Sequence, residues 1–352
     1  MTLAAIDLFS GAGGLSIALK ESGFQILFAN EIHQSYAKTH KHNFPGVPLI
    51  EMDIRDLDEE TLLEKTQGIE VDLITGGPPC QGFSIFGKRR FVNTQGYEPR
   101  KDPRNQLVYE FMRVVRILKP KFFFMENVKG FTNLDKGHFV EEIKKQFREL
   151  GYDNLWCEVV LATDYGVPQK RQRMFMIGNR IGVEFAPPPH SHFPIGSGSK
   201  PEYTTVGPAI MDLAGKENQV LNHVPLNHKP IVEARYGHIA EGARLNVNKL
   251  PPELAVATRK DSKSGKVSNY SHVYKRLHRQ QPSTTMVPGH NAFPVHPTLN
   301  RTLTAREAAR LQTFPDDHQF FGTRQEQCIQ VGNAVPPKLA KPFFDAIKSH
   351  LM

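Results

Sequence analysis

The chain has 352 residues, 39% hydrophobic and 23% charged, with 44 Lys+Arg against 36 Asp+Glu for a formal net charge of +8. These proportions exclude a disordered, collagen-like or coiled-coil chain, and no apolar run approaches the roughly 18 residues of a membrane-spanning helix. The three cysteines, Cys80, Cys157 and Cys328, are too few for a disulfide framework and have no zinc-ligand spacing, so a reduced, cytoplasmic compartment and no bound metal are expected.

Taken in chain order, the apolar segments AAIDLF (4–9), QILFA (25–29), VDLIT (71–75) and KFFFME (121–126) are continuous rather than alternating. That pattern predicts strands buried on both faces. Between them LSIALKES (15–22) reads as a helix stopped by Gly23. Leu107, Phe111, Val114 and Leu118 share one helical face over 104–118, with Asp102 and Pro103 as cap and first position. Phe139, Ile143 and Phe147 repeat the spacing before Gly151. Such alternation predicts a parallel, doubly wound α/β sheet, whose ligands bind beyond the carboxyl ends of the strands.

From Ala186 the rhythm breaks. Residues 186–300 hold 13 Lys+Arg against 7 Asp+Glu, with 14 of the 26 prolines and 9 of the 15 histidines. A basic excess of this size suits a phosphate-contacting surface, but equally an ordinary solvated one. Regular structure resumes at Thr304, where TARE has the spacing of a capping box with Glu307, and PKLAKPFFDAIKSHL (337–351) predicts a last helix. The expected organisation is a catalytic and cofactor-binding domain over 1–185, a loop-rich domain over 186–300, and a return over 301–352 that completes the first.

Three segments carry chemistry. SGAGG (10–14) follows the first strand and opens a helix, which lets the backbone approach a ligand closely. Its GxGG spacing differs from the dinucleotide GxGxxG. Glu31 ends the second strand and Asp53 follows the third turn; either alone is most often a solvated loop carboxylate. Together with the glycines they suit a nucleoside lacking a pyrophosphate, such as S-adenosylmethionine. GGPPCQGFS (76–84) places Cys80 behind two prolines and between glycines, a setting a buried structural thiol does not need. A thiol must be activated by nearby cations or a helix end, and Lys88, Arg89 and Arg90 follow it, with Arg171 and Arg173 in QKRQR (169–173). Glu126, in MENVKG (125–130), ends an aromatic strand, so burial is expected to raise its pKa and suit it to donate a proton to a heterocycle nitrogen.

DLFSGAGG, Glu31, GGPPCQGFS, MENVKG, QKRQR, TAREAARLQTFP and QVGNAVPP (330–337) resemble, in order, the motifs of cytosine-C5 DNA methyltransferases. The resemblance covers about 1–180 and 301–352, and the segment it omits corresponds to that family's target-recognition domain. It implies an S-adenosylmethionine-dependent methyltransferase sheet with an inserted recognition domain, acting on double-stranded DNA as a monomer, with a cognate restriction endonuclease as possible counterpart. It implies that the Cys80 thiolate adds to carbon 6 of a flipped-out cytosine while Glu126 protonates ring nitrogen 3. Arg171 and Arg173 match positions that hold the base and the catalytic loop, and Asn127 the position that orders that loop. For the cofactor it points to Phe9, Gly11, Gly13, Glu31, Ile32, Asp53, Ile54, Pro79, Leu107, Asn333 and Val335. Ile32 departs from the larger aromatic that relatives often carry, and the last two require the C-terminus to fold back beside Phe9.

For DNA the candidates are Arg89 and Arg90, on a segment over 83–101 expected to act as a lid, and Asn269, His272, Arg276, Arg279 and Thr285 in the stretch 268–286. Thr285 and Met286 also resemble the Thr-aliphatic element of the family's recognition domains. Three rival readings fit less well. A transfer-RNA cytosine methyltransferase on this scaffold carries Cys-Phe-Thr and a short middle domain, neither present here. An inactive DNA-binding regulator is expected to lack Cys80, Glu126 or Arg173. A nicotinamide-dependent dehydrogenase does not account for GxGG or GGPPCQ.

Overall fold

In a computed structural model the described residues are 2–79, 106–255, 274–287 and 293–352. The chain divides into two compact units. The first comprises Met1–Tyr165, Gln172–Ser191 and Ala334–Met352, and the second Gly166–Arg171 and His192–Asn333.

Among the described residues the strands are β1 (Leu3–Leu8), β2 (Phe24–Asn30), β3 (Leu49–Ile50), β4 (Leu73–Gly76), β5 (Phe122–Val128), β6 (Asn154–Leu161), β7 (Gln169–Lys170), β8 (Gln172–Asn179) and β9 (Ser283–Thr284). Seven of them form the sheet of the first unit, in the order β3-β2-β1-β4-β5-β8-β6. Strands β1 to β5 pair in parallel, and β8 runs antiparallel to both β5 and β6. The sheet is thus mostly parallel, as expected of a doubly wound α/β fold, with antiparallel pairing at this edge. Chain reversal between β6 and β8 needs no crossover helix, so the strand-helix rhythm ends before it.

The continuous apolar runs are buried as predicted. β1 is buried along its whole length, and Phe122, Phe123 and Phe124 are inaccessible to solvent. Helix Leu107–Leu118 packs Val108, Phe111, Val114 and Val115 inward, and helix His138–Glu149 packs Phe139, Ile143 and Phe147. The Phe123 ring stacks on Phe147 at 4.0 Å and meets Phe111 edge-on at 6.2 Å. Each such ring removes enough apolar area from water to contribute roughly 1.5–3 kcal/mol.

Helix Pro337–Ser349 lies on the same sheet, with Phe344 against Phe124 and Phe343 against Phe175, each at 5.0 Å. Lys348 Nζ donates to the Ser22 carbonyl at 3.0 Å, at the end of helix Gly14–Glu21. The end of the chain therefore returns to its first helix, as the motif order requires.

The second unit is loop-rich. Its regular parts include the two-residue parallel ribbon β7–β9 and the helices Val206–Ile210, Pro230–Gly237, Ala305–Leu311 and Arg324–Asn333. The capping box is present, with Glu307 N–H donating to Thr304 Oγ1 and Thr304 N–H to Glu307. Helices Ala305–Leu311 and Arg324–Asn333 belong to this unit, whereas the sequence reading assigned everything after 300 to the catalytic domain. The cause is polar. Arg301 bridges Glu217 and Glu307 at 2.8 Å each, His223 meets Thr304 Oγ1 at 2.8 Å, and Arg306 donates to the Leu221 carbonyl at 2.9 Å. A capping box marks where a helix begins, not which core it joins.

Candidate active site

The first unit gathers its predicted residues at the carboxyl ends of β1 to β5. After β1 the chain turns through left-handed φ values of 56° at Phe9, 54° at Gly11 and 85° at Gly13. A non-glycine residue pays roughly 1–2 kcal/mol for that conformation, so Phe9 is held by its surroundings. A Cβ at Gly13 would run into the Phe44 ring, so the turn requires glycine there. Glu31, buried at the end of β2, accepts the Gly11 N–H at 2.9 Å and the His33 N–H at 2.8 Å. Its burial pushes its pKa up, and those two amides oppose the shift. One carboxylate thus joins the turn after β1 to the turn after β2.

Beneath this turn lies a buried polar chain that sequence reasoning did not single out. Asp7 accepts from Ser16 Oγ at 2.5 Å and from Thr75 Oγ1 at 3.1 Å, and Ser16 Oγ also meets His40 Nε2 at 3.0 Å. Burial moves Asp7 up to about 7 and His40 down to about 4, each toward its neutral form.

Asn30, missed too, donates from Nδ2 to the Ile50 and Met52 carbonyls at 3.0 and 2.9 Å. Asp53 caps the short turn Ile54–Asp56 by accepting the Arg55 N–H at 3.0 Å, and the Arg55 side chain holds its carboxyl below the usual range. Arg113, on helix Leu107–Leu118, donates to the Ile54 and Leu57 carbonyls at 2.6 and 2.8 Å and fixes that turn from below. Ile54 and Val335 are buried, Pro79 and Leu107 half-buried, and Ile32 is 57% exposed. Asn333 lies in the second unit, exposed at the end of helix Arg324–Asn333. A glycine-bearing turn, a buried carboxylate and an exposed apolar Ile32 beside it fit a nucleoside carrying an amino-acid tail, the chemistry of S-adenosylmethionine.

Around the ends of β4 and β5 sit the acid-base residues. Glu126 is 8% exposed, and its Oε1 lies 2.8 Å from Arg173 Nε. The antiparallel register sets Arg173 opposite Val128, so the two meet diagonally across the β5–β8 pair. Burial lowers the pKa of the guanidinium, and Glu126 opposes that. The expected burial of Glu126 is therefore present, with the Arg173 guanidinium set directly against it. A Cβ at Gly77 would stand 2.9 Å from Glu126 Oε2, so the turn after β4 closes directly on the carboxylate. Asn127 Nδ2 donates to the Pro78 carbonyl at 3.1 Å, and its Oδ1 accepts the Val128 N–H at 2.9 Å. Cys80, Arg89, Arg90 and the segment 83–101 lie outside the described residues, as do Asn269 and His272.

In the second unit Arg171 is fully buried and donates from Nη2 to the Gly332 and Asn333 carbonyls at 3.0 and 3.2 Å. Arg276 requires a correction. Its guanidinium is buried and donates to the carbonyls of Ile239, His296, Leu299 and Tyr236 and to Asn300 Oδ1, all at 2.7–2.8 Å. With its donors spent on this unit's own backbone, it is not presented to base edges. Arg279 is exposed but clamped to Glu241, with both Nε and Nη2 at 3.0 Å. Thr285 Oγ1 donates to the Lys170 carbonyl at 2.7 Å.

Comparison with known proteins gives this geometry its setting. The profile described as C-5 cytosine-specific DNA methylase matches residues 3–349. The chain is similar to type II methyltransferase M1.HphI of Haemophilus parahaemolyticus, with 40% identity over 99% of this chain and 87% of that one. It is also similar to M.DdeI of Desulfomicrobium norvegicum, at 34% identity over 97% and 88%. Among solved structures, a putative DNA modification methyltransferase encoded within a prophage of E. coli superimposes with a TM-score of 0.73, at 26% identity and 99% coverage of both chains. The match of the family profile from end to end, with relatives this similar over nearly their whole length, makes the chain a member of the C-5 cytosine-specific DNA methylase family, an S-adenosylmethionine-dependent DNA (cytosine-5-)-methyltransferase.

Proposed function

We propose that the protein is the modification methyltransferase of a restriction-modification system and acts through a covalent adduct of Cys80 with a flipped-out cytosine. The observation that carries the reading is the convergence of Glu126, Asn127 and Arg173 on the turn leading to Cys80. Glu126 lies against Gly77 and Asn127 holds the Pro78 carbonyl, two residues before the thiol.

Carbon 5 of cytosine is a poor nucleophile until a group adds at carbon 6. The Cys80 thiolate forms the S–C6 bond, and the C5–C6 π electrons move through the ring toward nitrogen 3. Glu126 delivers a proton there, so no net charge accumulates on the ring. Arg173 holds the carboxyl in line. When bound, S-adenosylmethionine supplies an electrophilic methyl group. Carbon 5, made enamine-like by the addition, takes that methyl group. A base then removes the carbon-5 proton, the S–C6 bond breaks, and the nitrogen-3 proton returns to the Glu126 carboxylate. Thiolate, acid and aromatic ring are all restored. Reaching carbons 5 and 6 from above and below requires the base outside the duplex. Phe9, Gly11, Gly13, Glu31, Ile32, Asp53, Ile54, Pro79, Leu107 and Val335 hold the cofactor. Arg89, Arg90, Asn269, His272, Arg279 and Thr285 contact DNA. The enzyme works as a cytoplasmic monomer opposite an endonuclease of the same specificity.

Cys80→Ser should abolish methyl transfer from labelled S-adenosylmethionine while retaining DNA binding. DNA carrying 5-fluorocytosine should trap the unaltered enzyme as a denaturation-resistant complex, because fluorine cannot leave as a proton. Near-normal turnover by Cys80→Ser, or no trapping, would overturn the covalent mechanism.

A further inference from the structure

We infer that Lys170, Arg244 and Lys275 form a binding site for backbone phosphate of duplex DNA, separate from the side chains proposed above to read or flip bases. The inference rests on the reading of the protein as a DNA enzyme and names a surface which that reading leaves unassigned.

Arg244 and Lys275 face each other across an isolated antiparallel bridge. The bonds on either side run from Leu245 N–H to the Tyr274 carbonyl at 2.9 Å and from Arg276 N–H to the Ala243 carbonyl at 3.0 Å. The pair therefore occupies the non-hydrogen-bonded position, where opposite side chains project from the same face and come closest. Like charges placed there destabilise the ladder. Lys275 is also half-buried, and desolvation together with the charges of Arg244 and Lys170 lowers its ammonium pKa.

Lys170 is exposed at the end of β7, where its carbonyl receives the Thr285 hydroxyl. Among the described residues no carboxylate pairs with any of these three cations. Some cations of the same unit are paired, Arg279 with Glu241, Arg310 with Asp212 and Asp316, and Lys200 with Glu202. A fold that neutralises these side chains and leaves Lys275 repelled by both Arg244 and Lys170 gains stability when an anion arrives. Two lysines act as point charges toward phosphate, and the Arg244 guanidinium can grip its oxygens in a fork.

The test uses the full chain with Lys170→Gln, Arg244→Gln and Lys275→Gln, singly and combined. Binding is measured by anisotropy across a sodium chloride series, on one duplex containing the methylated site and one of unrelated sequence. Each lost contact should make the slope of log affinity against log salt shallower by about 0.9, on both duplexes alike. Lys170→Arg and Lys275→Arg should keep the original slope, and melting temperature should be unchanged or raised as the repulsion is removed. An unchanged slope while the unaltered chain binds DNA would overturn the site alone, as would weakening confined to the cognate duplex. Failure of the unaltered chain to bind or methylate any duplex would overturn the DNA reading and this site with it. Should the triple variant not fold, the exposed Lys170→Gln and Arg244→Gln singles decide by the same slope.

Discussion

Arg173 Nε stands 2.8 Å from Glu126 Oε1, and both side chains are almost wholly withdrawn from water. A buried carboxylate next to a guanidinium stays ionised more readily than one beside apolar groups, whereas a proton donor must reach the reaction protonated. Glu126→Gln should therefore lower kcat by about 10²–10⁴-fold. Arg173→Gln should lower the rate too, because the carboxyl loses the guanidinium that holds it in place. Single-turnover rates check both. An Arg173 variant with the unaltered rate would mean that the guanidinium does not position Glu126.

Asn127 holds the turn before Cys80 through one donated bond to Pro78. Asn127→Asp preserves shape but replaces the donor with an acceptor facing a carbonyl. A buried acceptor left without its donor costs roughly 1–3 kcal/mol. We expect slower trapping by 5-fluorocytosine DNA, with the Kd for S-adenosylmethionine changed less than threefold. Equal losses in trapping and in cofactor affinity would place Asn127 in the general framework of the sheet instead.

Asp7 and His40 are joined through Ser16 and titrate in opposite senses. His40, lowered from 6.5 to about 4, is neutral in the fold and protonated in the unfolded chain between those values, so its contribution is lost as pH falls. Asp7, raised from 3.8 to about 7, holds a proton in the fold that the unfolded chain has released, so its contribution is lost as pH rises. Between about pH 4 and 6.5 the two slopes cancel. His40→Gln should then lose stability with rising pH, and Asp7→Asn should gain it, each by about tenfold in the folding constant per pH unit. Urea midpoints at several pH values within the window read the tilt, and parallel profiles for both variants would refute it.

Arg276→Ala should destabilise the second unit by roughly 3–5 kcal/mol, since several buried carbonyls lose their donor together. It should not relax discrimination at a single base pair. Thermal melting and a panel of single-substituted duplexes distinguish the two effects.

Much of the first unit was legible because its signals are local. KFFFME read as an interior strand from its continuous apolar run, and the glycines after AAIDLF read as a turn of close approach, where the Phe44 ring leaves no room for a Cβ at Gly13. Glu31 and Glu126 were found as acids at strand ends. Asn30, Arg113 and His40 were not, because they act on backbone atoms or hydroxyls distant in sequence, and nothing in their spacing distinguishes them from ordinary polar residues. Arg276 misled for the converse reason. Composition marks an arginine in a basic segment as available, while only the fold reveals five acceptors converging on it.

The polar ties of Arg301, Arg306 and His223 bear on how such an enzyme could acquire a new target sequence. A cassette cut at residue 300 would carry Glu217, Leu221 and His223 to the recipient and leave Arg301, Thr304 and Arg306 in the donor. Each side of the junction would then expose charged or polar groups shaped for an absent counterpart. A cassette that keeps these ties intact runs from about His192 to Asn333 and brings Gly166–Arg171 with it, since β7 pairs with β9 and Arg171 holds the Gly332 and Asn333 carbonyls. Exchange of this unit between relatives would then have to move its loops and their ionic scaffold together.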